Sequence, residues 1–135
     1  MIMTFEDLES WQPARQLTHG IYTLTRNDTL AKDFGLCGQI QRCSVSIMSN
    51  IAEGFERFHV QEKLQFYNVA RGSSAEVRSL LYVVQDNYPA LSGEAVRLRE
   101  HSVSVGKLVS GLFKSTEGRK VSKLRLLLLG WLLNF

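Results

Sequence analysis

The chain has 135 residues, 44% of them hydrophobic, which suffices for one domain with its own core and argues against a second. Sixteen Lys and Arg against 13 Asp and Glu leave a net charge of +3, a balance that bears on partners rather than on fold. Two cysteines with no Cys-x-x-Cys pair and no Cys/His cluster exclude a disulfide scaffold and a zinc fold.

Phe5, Leu8, Trp11, Leu17, Ile21 and Leu24 line one face of a first helical segment. Pro13 interrupts it, so the regular helix either starts near Pro13 or kinks there. Asn27-Asp28 marks its exit. The second segment reads Leu36, Ile40, Cys43, Ile47, Asn50, Gly54, a four-three alternation suited to a bundle interface, with Ile51 and Phe55 beside it. Asn50 is its odd member, because a buried amide must find partners or cost a few kcal/mol, roughly. Cys37 and Cys43 sit about 240° apart around this helix and do not face each other.

The third segment carries Tyr67, Ala70, Ser74, Val77, Leu81 and Val84, flanked by Phe66, Ser73 and Leu80. It is predicted from about Val60 to Tyr88, where Pro89 stops it. The fourth carries Leu91, Ala95, Leu98, Ser102, Val105, Val109 and Leu112, and Gly118 is predicted to end it. Short connections predict an all-α fold, an antiparallel up-down-up-down four-helix bundle over residues 1–118, followed by a basic and apolar extension over 119–135. The apolar run from Leu124 to Phe135 is too short to span a bilayer, so no membrane partner is expected. The N-terminus lacks the basic and apolar regions of a signal peptide, which points to the cytoplasm.

Polar residues inside the helices carry two readings. Arg42, Ser46, Ser49 and Glu53 recur at helical spacing as a solvated or subunit-facing stripe. Alternatively, Arg42, Asn50, Glu53, Arg71 and Glu76 form a structural network where Ala70, Gly72, Ser73 and Ser74 let helices two and three approach. No catalytic constellation emerges. The Glu-x-x-His spacing of Glu56 and His59 puts the histidine in a loop, while His19 and His101 are isolated, so no metal and no cofactor is expected. No histidine is spaced to serve Ser44, Ser46 or Cys43 as a nucleophile, and Arg71-Gly72-Ser73-Ser74 lies mid-helix rather than in a phosphate loop.

Asp7-Leu8 with Trp11, Gly35-Leu36, Gln39-Ile40 with Arg42, Ser46-Ile47, Asn50-Ile51-Ala52-Glu53-Gly54-Phe55 with Arg57, and Ala70-Arg71-Gly72-Ser73 with Glu76 and Leu80-Leu81 carry a resemblance over roughly Phe5 to Lys114. The chain resembles the four-helix-bundle proteins encoded in intervening sequences of bacterial 23S ribosomal RNA genes. That resemblance implies a bundle assembling as a ring, most often a homopentamer, in bacterial cytoplasm, with no enzyme activity. More distantly the chain is similar to the accessory variability determinant proteins of diversity-generating retroelements, whose basic pentamer associates with a reverse transcriptase and with nucleic acid. Pro13 and the segment 119–135 depart from the family pattern.

Charge distribution adds to this. Residues 1–90 hold 8 Lys and Arg against 10 Asp and Glu, whereas 91–135 hold 8 against 3. The expected function is a nonenzymatic, oligomeric protein that binds RNA or DNA through Arg97, Arg99, Lys107, Lys114, Arg119, Lys120 and Lys123, multiplied around a ring. The alternative is a scaffold that docks a partner protein and touches no nucleic acid.

Overall fold

Residues 1–134 are described by a computed structural model. They form four α-helices and no strand: α1 (Trp11–Leu24), α2 (Phe34–Glu56), α3 (Val60–Asn87) and α4 (Ser92–Leu133). A short 3-10 turn at Phe5–Asp7 precedes α1, and two more, Leu30–Lys32 and Pro89–Leu91, lie in the α1–α2 and α3–α4 connections of this helical bundle.

The first predicted face is divided. Phe5 sits in its own turn, and its ring meets Trp11 edge-on at 4.9 Å. Helix α1 begins at Trp11, which places Pro13 in the first turn, where its missing N–H has no intrahelical acceptor to lose. After α1, Asn27 Oδ1 accepts from the backbone of Thr29 and Leu30, turning the chain so that Leu30 is buried.

Asp33 starts α2. One of its oxygens accepts from the Leu36 backbone N–H as an N-cap, and the other accepts from the Tyr88 hydroxyl at 2.9 Å, tying the α2 start to the α3 end. Asp33→Ala removes both bonds at once. It is expected to cost about 1–2 kcal/mol in urea unfolding, and a loss below roughly 0.3 kcal/mol would show that neither bond holds this end together.

The core follows the apolar seams. Leu17, Ile21, Ile40, Ile47, Ile51, Val77, Leu81, Val84, Leu98, Val105 and Val109 are fully buried or nearly so. Small and hydroxylated residues set the closest approaches. The Ser46 and Ser73 hydroxyls are 2.8 Å apart between α2 and α3. The Ser74 hydroxyl donates to the Ser102 carbonyl at 2.9 Å between α3 and α4, beside Gly106, and Thr18 donates to the Ser44 carbonyl between α1 and α2. Gly54 lies directly against Tyr67. These hydroxyls each meet a carbonyl or a second hydroxyl, which is the condition for placing Ser in a core, whereas the buried Ser10 hydroxyl has no such partner among the described residues.

Helix α4 departs from expectation at its end. Gly118 does not stop it: the backbone stays helical to Leu133, with no positive φ at any described glycine to cap it earlier. Burial does stop, with Thr116 the last buried residue. Of the predicted extension, 119–133 is therefore an exposed continuation of α4 with Asn134 as its C-cap, and Phe135 lies outside the described residues.

Candidate nucleic-acid interface

The seven predicted cations do not share one surface. Arg97 is engaged by Glu94 at 2.8 Å, the one ion pair among the described residues. Glu94 holds the Arg97 guanidinium above its ordinary value, and Arg97 in turn holds the Glu94 carboxyl below the usual carboxylate range. Arg99 lies 4.0 Å over the Tyr82 ring and donates to Gln85. Lys120 donates to Gln61 on α3, Arg119 borders the hollow formed by Ile2, Leu112 and Tyr67, and Lys123 stands on the exposed end of α4.

Lys107 and Lys114 are placed differently. They are seven residues apart on α4 and face Arg71 and Arg78, also seven apart, on α3. These four line an open groove of about 790 Å³ between the two helices. Each pair is separated by about 10 Å along its helix, so the groove has a cationic rail on either side. Its remaining lining is small or polar: Asn68, Gly72, Ser74, Ala75, Ser102, Val103, Gly106, Ser110 and Gly111. No Asp or Glu lines it, and none of its four cations has a carboxylate partner among the described residues.

Arg71 is steadied by the Phe113 ring, 5.5 Å away, which leaves its guanidinium edge free for acceptors. Gly72 and Gly111 have open space where a side chain would stand, so a bulky ligand backbone can approach the floor. Four cations without carboxylate partners over a low floor favour a polyanion, since phosphate oxygens accept from guanidinium and ammonium donors alike, while the Ser74 and Ser102 hydroxyls are already given to backbone carbonyls. Past Asn68 the lining continues through Gln65 and Gln61 to Lys120, with Glu117 as its only acid.

Sequence reasoning missed Arg71 and Arg78 as part of this surface. The available signal was their heptad spacing, the same as that of Lys107 and Lys114. In one of two readings of the polar residues, the other being a solvated stripe, Arg71 joins a network with Arg42, Asn50, Glu53 and Glu76, and among the described residues no ion pair links its charged members. Arg42, Glu53, Arg71 and Glu76 are all exposed and none is ion-paired. The physical reason is that the serine pair already closes the α2–α3 seam, which pushes the charged side chains to its flanks. Glu76 accepts from Gln39 at 3.4 Å, and Asn50 satisfies its amide within α2 by donating to the Ser46 carbonyl and hydroxyl.

The cysteines pack as apolar groups. Both thiols are free and buried, and burial, with Glu76 adding to it, pushes Cys43 up to about 12, so it carries no thiolate at neutral pH. Among the described residues no three His, Cys, Asp or Glu side chains gather where they could hold a metal ion. No helix among them is long and apolar enough to cross a membrane.

A family model described as 23S rRNA-intervening sequence protein matches residues 6–111. No curated protein matches the chain.

Proposed function

We propose, from the premise that the chain belongs to the 23S rRNA-intervening sequence protein family, that it is a nonenzymatic bundle protein that binds the phosphate backbone of RNA or DNA along the α3–α4 groove. The observation that carries this reading is the groove itself, with Arg71, Arg78, Lys107 and Lys114 free of carboxylates. Such a surface suits the backbone, since its cations pair with phosphate oxygens whatever the base sequence.

The helices run antiparallel in up-down-up-down order. Contacts across α2 and α3 support this order, since Gln39 meets Glu76, Ser46 meets Ser73 and Gly54 meets Tyr67, the numbers rising on one helix as they fall on the other. Across α3 and α4, Gln85 meets Arg99, Ser74 meets Ser102 and Gln61 meets Lys120. The protein assembles as a ring, a homopentamer, in bacterial cytoplasm. Ring assembly repeats the groove in each copy, and several weak sites on one polyanion then act together.

Binding of the purified protein to structured RNA and to duplex DNA, measured across a salt series, tests this. Four phosphate contacts per groove give a log–log slope of roughly −3 to −4 for each groove engaged. A flat salt dependence, or no binding at low salt, would overturn the reading and leave a scaffold for a partner protein.

A further inference from the structure

The end of α4 is unlike the rest of the molecule. Every described residue after Thr116 is exposed, and the helix runs about 20 Å beyond Lys120, which is bonded to Gln61 near the start of α3. Its chemistry has two zones. Arg119, Lys120, Lys123 and Arg125 crowd four cations into seven residues. Leu124 and 126–129 then lead to Leu132 and Leu133, each between 50% and 83% exposed and spread around the whole helix rather than along one face. A contiguous apolar surface of this kind beside concentrated charge marks a docking element.

Three occupants are distinguishable by chemistry. A nucleic acid would neutralise the cations and leave the leucines in water. A second copy of this helix packed parallel to it, as in a ring, would cover the leucines but bring like charges from each chain together over those seven residues. An anionic lipid surface satisfies both zones, with headgroups around the cations and the acyl boundary around the leucines.

We propose that the α4 extension is a peripheral anchor to anionic membranes, in which 119–125 meets the headgroups and the leucines sink obliquely into the interfacial layer. The described stretch 124–133 is about 15 Å long against a hydrocarbon core of about 30 Å, a length suited to lying in the interface. End-on insertion is disfavoured, since it would carry the unpaired carbonyls of the last helical turn into hydrocarbon, whereas an oblique pose keeps them within reach of water. Phe58 is 95% exposed in the turn between α2 and α3, at the same end of the bundle. Glu53, Glu56 and Glu62 surround it with Arg57 as the one cation, a net acidic patch that keeps the body outside the headgroup layer while the cations of α4 reach into it. The sequence-based expectation of no membrane partner rested on the short apolar run, and a peripheral anchor meets no such length requirement.

The test is cosedimentation of the nuclease-treated full chain with vesicles of phosphatidylcholine alone or mixed with phosphatidylglycerol, alongside its mass in solution. The chain should bind the anionic vesicles at least about tenfold more tightly than the neutral ones, with each cation contributing roughly fivefold. Leu127→Glu with Leu128→Glu should lose vesicle binding by more than about tenfold while helicity and mass hold, because both side chains are exposed. Lys123→Glu with Arg125→Glu should abolish the preference for anionic lipid. Three results would overturn the proposal: no binding to anionic vesicles at low salt, unchanged binding by the leucine variant, or a lower solution mass for that variant, which would assign the leucines to a second copy.

Discussion

Gly54→Ala should destabilise the protein by about 1–3 kcal/mol, even though alanine is the better helix former. Gly54 is buried near the end of α2, and a Cβ built on it would stand 2.6 Å from Tyr67 Cε1, 2.9 Å from Tyr67 Cδ1 and 2.9 Å from Phe66 Cβ. Those distances are far inside van der Waals contact, so a ring or a helix must move. Tyr67 is 2% exposed, burial pushes its phenol up to about 12, and the Phe66 Cβ is fixed to the α3 backbone, so a swing of the Tyr67 ring toward the hollow beside Leu112 relieves only part of the clash. The opposing effect is the propensity gain, about 1 kcal/mol for replacing glycine inside a helix. Gly35→Ala and Gly72→Ala isolate that gain, since neither added Cβ has a neighbour within 4 Å, and both should be neutral or stabilising. Urea unfolding of the three variants separates the terms. A Gly54 variant as stable as Gly35→Ala would show that the α2–α3 approach at Tyr67 is loose and that the small residues there have another cause.

That contrast also indicates what local pattern can reveal. The seams of α2, α3 and α4 were legible because a buried helix face recurs every three to four residues, and the predicted positions Ile40, Ile47, Ile51, Val77, Leu81, Leu98 and Val105 are the ones inside. Small residues at Gly54 and Ser73 signalled close approach of α2 and α3, which the Tyr67 contact and the Ser46–Ser73 bond bear out, whereas Ser74 meets Ser102 on α4 instead and Gly72 is exposed with open space around it. The end of α4 was misread because a glycine stops a helix only where the chain takes a left-handed turn, and the sequence after Gly118 remains helix-forming. Arg71 illustrates the limit for sites. Periodicity places it on a face of α3, but whether that face meets Glu53 on α2 or Lys107 on α4 depends on how the helices are rotated against each other. That rotation is set by tertiary packing, here the serine pair on one side and Ser74 against Gly106 on the other.

Neutralising the groove should be the most damaging change to function. A chain carrying Arg71→Gln, Arg78→Gln, Lys107→Gln and Lys114→Gln should lose roughly a thousandfold in nucleic-acid affinity at about 0.1 M salt, with the log–log slope shallower by about 3–4 for each groove engaged. Its stability should hold, since all four side chains are exposed and none is ion-paired among the described residues. The comparison that gives this weight is Arg97→Gln with Arg99→Gln. Both belong to the basic final third and carry the same formal charge, yet Arg97 is already paired with Glu94 and Arg99 is held over Tyr82. If position rather than total charge governs binding, that pair should cost less than about threefold. Equal losses per charge from the two sets would mean that the whole basic surface attracts the polyanion diffusely. The groove would then be a consequence of packing small residues between α3 and α4, with no part in recognition.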